Sequence, residues 1–316
     1  IRYLMRCGPR VIMSSLDLPN IQLILAAKLT RFKGMTVISQ RATIAPVYAK
    51  SGWMRRLVYG LGIRGTYPYA DFVICNSHAA ATEVRTISGI SDNRIVTIHN
   101  SVDVERVNRL ANEPLRDNWF LRSDAPLILS VGSLTCLKDR ATLVKAFAVV
   151  KAQRNVRLAI LGEGYQAAER NKIERLISDF GLTECVYLAG FDSNPYRWMH
   201  RAAVLVSSSI TEGCPNQLLE ALALRTPIVA TDCPGDTAVL LGHGQWGRLV
   251  PVGDPASMAA AILASLDDPE SPDGRVRAAD FSPARMVRAY LKVLFPELDL
   301  QATEAAMAEL RPELLL

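Results

Sequence analysis

The stretch that most constrains this chain is residues 206–235, Val-Ser-Ser-Ser-Ile-Thr-Glu-Gly-Cys-Pro-Asn-Gln-Leu-Leu-Glu-Ala-Leu-Ala-Leu-Arg-Thr-Pro-Ile-Val-Ala-Thr-Asp-Cys-Pro-Gly. Short apolar runs at 202–206 and 227–230 read as buried strands, and the segment between them as a loop followed by one helix. Pro215 suits the first turn of that helix, where its fixed φ and missing N–H do no harm, and Thr226-Pro227 marks the exit. Glu212 therefore belongs to the loop, and Glu220 projects from within the helix. The first amides, on Asn216 and Gln217, have no helical acceptor and favour an anion in front of the first turn. Two carboxylates flanking an anion cradle suit a ligand with both a diphosphate and hydroxyls, as a nucleotide sugar has.

A chain of 316 residues with 49% hydrophobic side chains can bury the cores of two ordinary domains. It has no run of eighteen apolar residues, so no spanning helix is expected. The formal charge of +5 is unevenly spread: residues 1–100 hold thirteen Lys or Arg against four Asp or Glu, a net of +9 that leaves −4 for the rest. A basic first third suits an anionic membrane surface or an acidic acceptor. No zinc spacing, RNA-binding aromatic signature or helix-turn-helix pattern accompanies it, which sets nucleic acid aside. The cysteines at 7, 75, 136, 185, 214 and 233 form no Cys-x-x-Cys pair, which argues against a metal cluster and suits reduced thiols in a cytoplasm.

Along the chain, 10–14 reads as a strand, 19–29 as a helix and 35–39 as the next strand, the alternation of a parallel α/β sheet. Residues 51–64 form a basic amphipathic segment, suited either to a lipid headgroup layer or to packing on the sheet. Residues 69–77 read as a strand that ends at a helix cap, Ser77. A strand at 94–99 follows, and its terminal His99 either faces a cleft or serves the structure. Residues 104–125 are polar without a clear period and read as a linker. A second buried strand, 127–131, runs into a tight turn at Gly132, after which Asp139 can cap a helix and Lys138 stands ahead of that helix's amino end. Gly162-x-Gly164-x-x-Ala167 imitates a dinucleotide-binding fingerprint, but no acidic residue ends a second strand at the required distance of about 20 residues. A last amphipathic helix is expected over 283–294, with Met286, Val287, Tyr290, Leu291 and Leu294 on one face.

The segment Glu212-Gly-Cys-Pro-Asn-Gln-Leu-Leu-Glu220 resembles the Glu-x7-Glu motif of family 4 retaining glycosyltransferases, with Cys214 in place of an aromatic residue. Residues 98–103, Ile-His-Asn-Ser-Val-Asp, resemble the Asn-Gly-Val-Asp that closes the first domain in that family, and Lys138 matches its lysine. Ser133 stands where the family has arginine. The resemblance implies a GT-B fold, α/β, in which two Rossmann-like domains face a cleft. Its boundaries here are a partial acceptor domain at 1–108, a linker at 109–125, a donor domain at 126–282 and a crossover helix with tail at 283–316. The family's amino-terminal glycine-rich loop and about two strand-helix units of about 30 residues are absent from this sequence, which implies a fragment or an incomplete acceptor domain.

By the same resemblance, Glu212 contacts donor sugar hydroxyls, Glu220 the nucleotide ribose and Phe191 approaches the base. Lys138 and the amides behind Pro215 oppose the leaving diphosphate. Gly132, Ser133, Gly213, Cys214, Asn216 and Gln217 complete the donor site. The implied activity is metal-independent, retaining transfer from a nucleotide sugar, UDP-linked, to a glycan or lipid-linked acceptor in surface polysaccharide or glycolipid assembly. No cofactor is implied, and the implied location is cytoplasmic, peripheral on the inner membrane face. A catalytically silent nucleotide-sugar-binding protein and a sugar-nucleotide epimerase of the same fold remain the alternatives.

Overall fold

The computed structural model describes residues 1–41, 43–44, 52–164, 167–268 and 272–298, apart from the side chains at 54–56 and 58. Ser51 and the tail expected at the carboxy end, from 299 onward, lie outside them. The first sheet has four parallel strands in the order β1-β2-β3-β4: Val11–Ser15, Met35–Gln40, Phe72–Cys75 and Ile95–Thr97. The second has six parallel strands, β5 Leu127–Val131, β6 Arg157–Leu161, β7 Val186–Gly190, β8 Val204–Ser207, β9 Ile228–Thr231 and β10 Arg248–Val250. Their order is β10-β9-β8-β5-β6-β7. Numbered within the second sheet alone, this is 6-5-4-1-2-3, the doubly wound arrangement. Its order reverses between β5 and β8, and ligands of such sheets bind outside the carboxyl ends of the strands at that point.

Strands covered on both faces read as continuous apolar runs. Accordingly all five residues of β6 are buried. One face of the second sheet packs Leu143, Phe147 and Ile173, and the other packs Leu218, Leu222 and Trp198. Helix starts follow side-chain chemistry. Ser77 caps His78–Ser88 by accepting from the Ala80 amide, and Asp139 caps Arg140–Gln153 by accepting from the Thr142 amide.

Two expectations are corrected. The stretch 104–125 is partly helical, over Val104–Ala111 and Asn118–Leu121. Val107 and Ala111 join the core of the second sheet, and Arg157 donates to the carbonyls of Trp119 and Phe120 at 2.9 and 3.0 Å. Eight residues are too few for their period to stand out among polar neighbours. The last helix, Pro283–Leu294, keeps Met286, Tyr290 and Leu294 of the expected face inward but adds Ala289 and Val293, which pack with them on Val37, Ile74 and Ile98 of the first half, while Val287 stays exposed. Full burial of an aliphatic side chain such as Val293 stabilises by about 1.5–3 kcal/mol, enough to hold this helix against the opposite half of the chain.

Candidate active site

β5 and β8 deliver two loops to the switch point, and backbone contacts stitch them together. The Ile210 amide donates to the Leu137 carbonyl at 2.8 Å, and the Ser208 hydroxyl to the Lys138 carbonyl at 2.7 Å. Lys138 Nζ thereby meets Glu212 Oε1 at 2.5 Å, in an ion pair largely withdrawn from solvent. The same oxygen accepts from Ser209 Oγ at 2.6 Å. Behind the pair, the Glu212 amide donates to the Pro234 carbonyl, and a Cβ at Gly235 would come within 2.1 Å of the Glu212 carbonyl oxygen. Glycine is required there by close approach as well as by a φ of 134°.

A cavity of about 530 Å³ opens beside this pair, lined by Gly132, Ser133, Gly162, Glu163, Phe191 and Pro195 among others. The glycines that imitate a dinucleotide fingerprint have another cause here. A Cβ on Gly162 would lie 2.2 Å from the Gly132 carbonyl oxygen, and one on Gly164 would lie 2.2 Å from that of Leu134. They let the β5 loop pack against the β6 loop. Phe191 is 73% exposed at the rim. Next to Pro195, the Tyr196 hydroxyl donates to Glu220 Oε1 at 3.3 Å. Burial pushes the Glu220 carboxyl above its ordinary range, although Tyr196 and Arg106 oppose the shift.

Of the residues chosen from sequence, Gly132, Ser133 and Phe191 line the cavity, Lys138 and Gln217 neighbour Gly132, and Glu212 pairs with Lys138. Pro215 is the residue before the Asn216–Ala223 helix rather than within its first turn. Gln217 is buried, its side-chain amide donating to Ser207 Oγ at 3.0 Å, while Asn216 is exposed. Cys214 is buried, and its thiol is pushed up to about 12 by that burial, which excludes a thiolate nucleophile at neutral pH. Gly213, Cys214 and Asn216 face the first half of the chain. Asn100 Nδ2 donates at 2.8 Å both to the Cys214 carbonyl and to Asn216 Oδ1, and a Cβ at Gly213 would press on Asn76.

A buried carboxylate that no motif announces holds the halves together. Asp236 accepts from the His78 amide at 3.0 and 2.9 Å and contacts His78 Nδ1 at 2.8 Å and His99 Nε2 at 2.7 Å. His99 thus serves the joint between the halves. Among the described residues, this trio is the one grouping of three potential metal-ligand side chains, with donor atoms within 4.8 Å of one another; here hydrogen bonds engage them. Burial alone would raise the Asp236 carboxyl, but the hydrogen bonds from His99 and His78 outweigh it and hold it below the ordinary range. Asp236→Asn is expected to lower unfolding free energy at neutral pH by about 2–3 kcal/mol, measured by urea denaturation. Because the folded-state value is depressed, this contribution is present at neutral pH and is lost as pH falls below about 4. The gap between variant and wild type should close there, and equal stabilities at pH 7 would overturn the assignment.

Two parallel α/β halves joined through Asp236, His78 and His99 have the GT-B fold. Residues 1–106 match the family described as Glycosyltransferase Family 4, and residues 125–268 match the one described as Glycosyl transferases group 1. The chain belongs to glycosyltransferase family 4. It is 31% identical over 286 residues to the N-acetylgalactosamine-N,N'-diacetylbacillosaminyl-diphospho-undecaprenol 4-alpha-N-acetylgalactosaminyltransferase of Campylobacter jejuni, covering 88% of this chain and 74% of that one. To the lipopolysaccharide core biosynthesis glycosyltransferase LpsE of Rhizobium meliloti it is 28% identical, covering 71% of this chain and 64% of that one. The fold is shared with HepE of Anabaena, solved in complex with UDP, at a TM-score of 0.77 and 18% identity over 93% of this chain and 80% of that one.

Proposed function

We propose that this glycosyltransferase moves a sugar from a UDP-sugar to a glycan or lipid-linked acceptor, with retention at the anomeric carbon and without a divalent metal, in surface polysaccharide or glycolipid assembly. The observation that carries the reading is the Lys138–Glu212 pair, set at the switch point against the Gly132 turn. As the bond to the sugar breaks, charge gathers on the departing diphosphate. Lys138 and the first amides of the Asn216–Ala223 helix oppose that charge, and preorganised donors of this kind are typically worth about 3 kcal/mol each. Glu212 accepts from donor sugar hydroxyls once the diphosphate competes for Lys138. Glu220 binds the ribose, steadied by Tyr196, and Phe191 offers a ring to the base. The cavity beside Gly132 has the volume of a nucleotide-sized site. UDP and UDP-glucose complexes of the similarly folded HepE support the choice of nucleotide. The name of the Campylobacter relative supports a lipid diphosphate-linked acceptor.

The acceptor half fits a membrane surface. Trp53, Leu57 and Leu61 are exposed at one-turn spacing on the Trp53–Thr66 helix, which packs against the Asp17–Leu29 helix with its exposed Leu25 and Leu29. Basic residues dominate this half, so anionic headgroups complement it. Among the described residues no helix is long and apolar enough to cross a membrane.

The purified chain should hydrolyse or transfer from one UDP-sugar in a panel of nucleotide sugars, at the same rate with and without a chelator. Loss of turnover in chelator, restored by magnesium or manganese, would sink metal independence. A panel in which no nucleotide sugar turns over or raises the melting temperature would sink the whole reading.

A further inference from the structure

Arg140 opens the Arg140–Gln153 helix with a fully buried side chain. Its Nη1 donates to Ser130 Oγ, its Nη2 donates to the Gly132 carbonyl at 3.3 Å, and its Nε is buried without a partner. Among the described residues no carboxylate pairs with it. Glu212 is the acid whose charge reaches it, and Glu212 already holds Lys138. Two cations therefore share one carboxylate at the base of the switch point. An unmatched buried cation is costly, and an arriving anion relieves that cost.

A Cβ on Gly132 would lie 3.3 Å from Arg140 Nη2, 3.5 Å from Lys138 Cε and 3.7 Å from Gln217 Oε1, so this glycine packs directly on both cationic side chains, and it also lines the cavity. Resting on the donor-site reading above, we propose that Arg140 is a positioning residue for the donor diphosphate, supplying from behind Gly132 the second positive charge that Ser133 does not carry. It acts in two ways. Its field reaches the cavity through the thin glycine turn, and its hydrogen bond to the Gly132 carbonyl turns the N–H of the same trans peptide, that of Ser133, the opposite way. Burial draws the guanidinium down to about 10, so it remains charged at neutral pH.

The test compares Arg140→Met and Arg140→Lys with the wild type, using UDP and uridine as probes in binding titrations, with melting curves to establish folding. Arg140→Met should weaken UDP binding by about 10-fold and leave uridine binding within about twofold, because the diphosphate senses the lost positive charge and the reoriented Ser133 amide and the uncharged nucleoside does not. Equal losses for UDP and uridine mean a merely structural residue and overturn the proposal, as does unchanged UDP affinity. Arg140→Lys should bind UDP nearly as well at pH 7 but lose affinity between pH 7 and 9, because a buried ammonium gives up its proton earlier than a guanidinium. If Arg140→Met does not fold, coincident pH profiles of Arg140→Lys and wild type overturn the proposal. Failure of the wild type itself to bind UDP, GDP or ADP overturns the donor-site reading, and Arg140's role falls with it.

Discussion

Glu212→Gln is expected to slow sugar transfer by about 100- to 1,000-fold while leaving UDP affinity unchanged or tighter. Glu212 Oε1 receives two donors, Lys138 Nζ and Ser209 Oγ, so the carboxylate is held in place and carries the counter-charge of the lysine. Glutamine keeps the size and removes that charge. Lys138, released from its partner, then binds the ground-state diphosphate at least as well, while the sugar loses an anionic acceptor for its hydroxyls. A loss in kcat without a loss in nucleotide binding is the signature of an interaction made chiefly in the transition state. Glu220→Ala should show the reverse: UDP affinity falls by about 10-fold, the scale of one hydrogen bond to a charged group, and kcat at saturating donor falls less. Steady-state kinetics with UDP inhibition constants separate the two, and wild-type behaviour in both variants would remove both assignments.

Lys138→Met is expected to lower kcat by about 100- to 1,000-fold and also to destabilise the fold. The lysine offers a point charge to a leaving group whose charge grows as the bond breaks, so its removal costs more in the transition state than in donor binding. It also leaves Glu212 charged and largely buried without its cation, which raises the free energy of the folded state. Lys138→Arg should recover part of the rate because the charge is kept at a different reach. A Met variant as fast as wild type would show that Lys138 takes no part in departure of the diphosphate.

Much of the donor half was legible in the chain. Apolar runs marked β5, β8 and β9 because strands sandwiched between helices need no polar face. Ser77 and Asp139 could be assigned as caps because their side chains reach amides three residues on, a purely local event. The Glu212–Glu220 segment announced a loop followed by a helix through its proline and its spacing. Local signals failed where packing decided. Val104–Ala111 is helical because Val107 and Ala111 find a core to enter, and the last helix adds Val293 to its inward face and leaves Val287 in solvent. Tyr196, which steadies Glu220, carried no mark beyond its aromatic ring.

What the chain alone determined were the two parallel α/β halves and the family, because strand burial, capping and turn chemistry act over a few residues. What only the tertiary structure decided were the meetings between distant segments. Asp236 reaches His78 and His99 across intervals of 158 and 137 residues, Lys138 reaches Glu212 across 74, and Arg140 is sealed beneath Gly132. Such pairings depend on where the sheet reverses its order and on how the two halves close. No short stretch of sequence records them, because the electrostatic and packing energies that select them exist only after the strands have assembled.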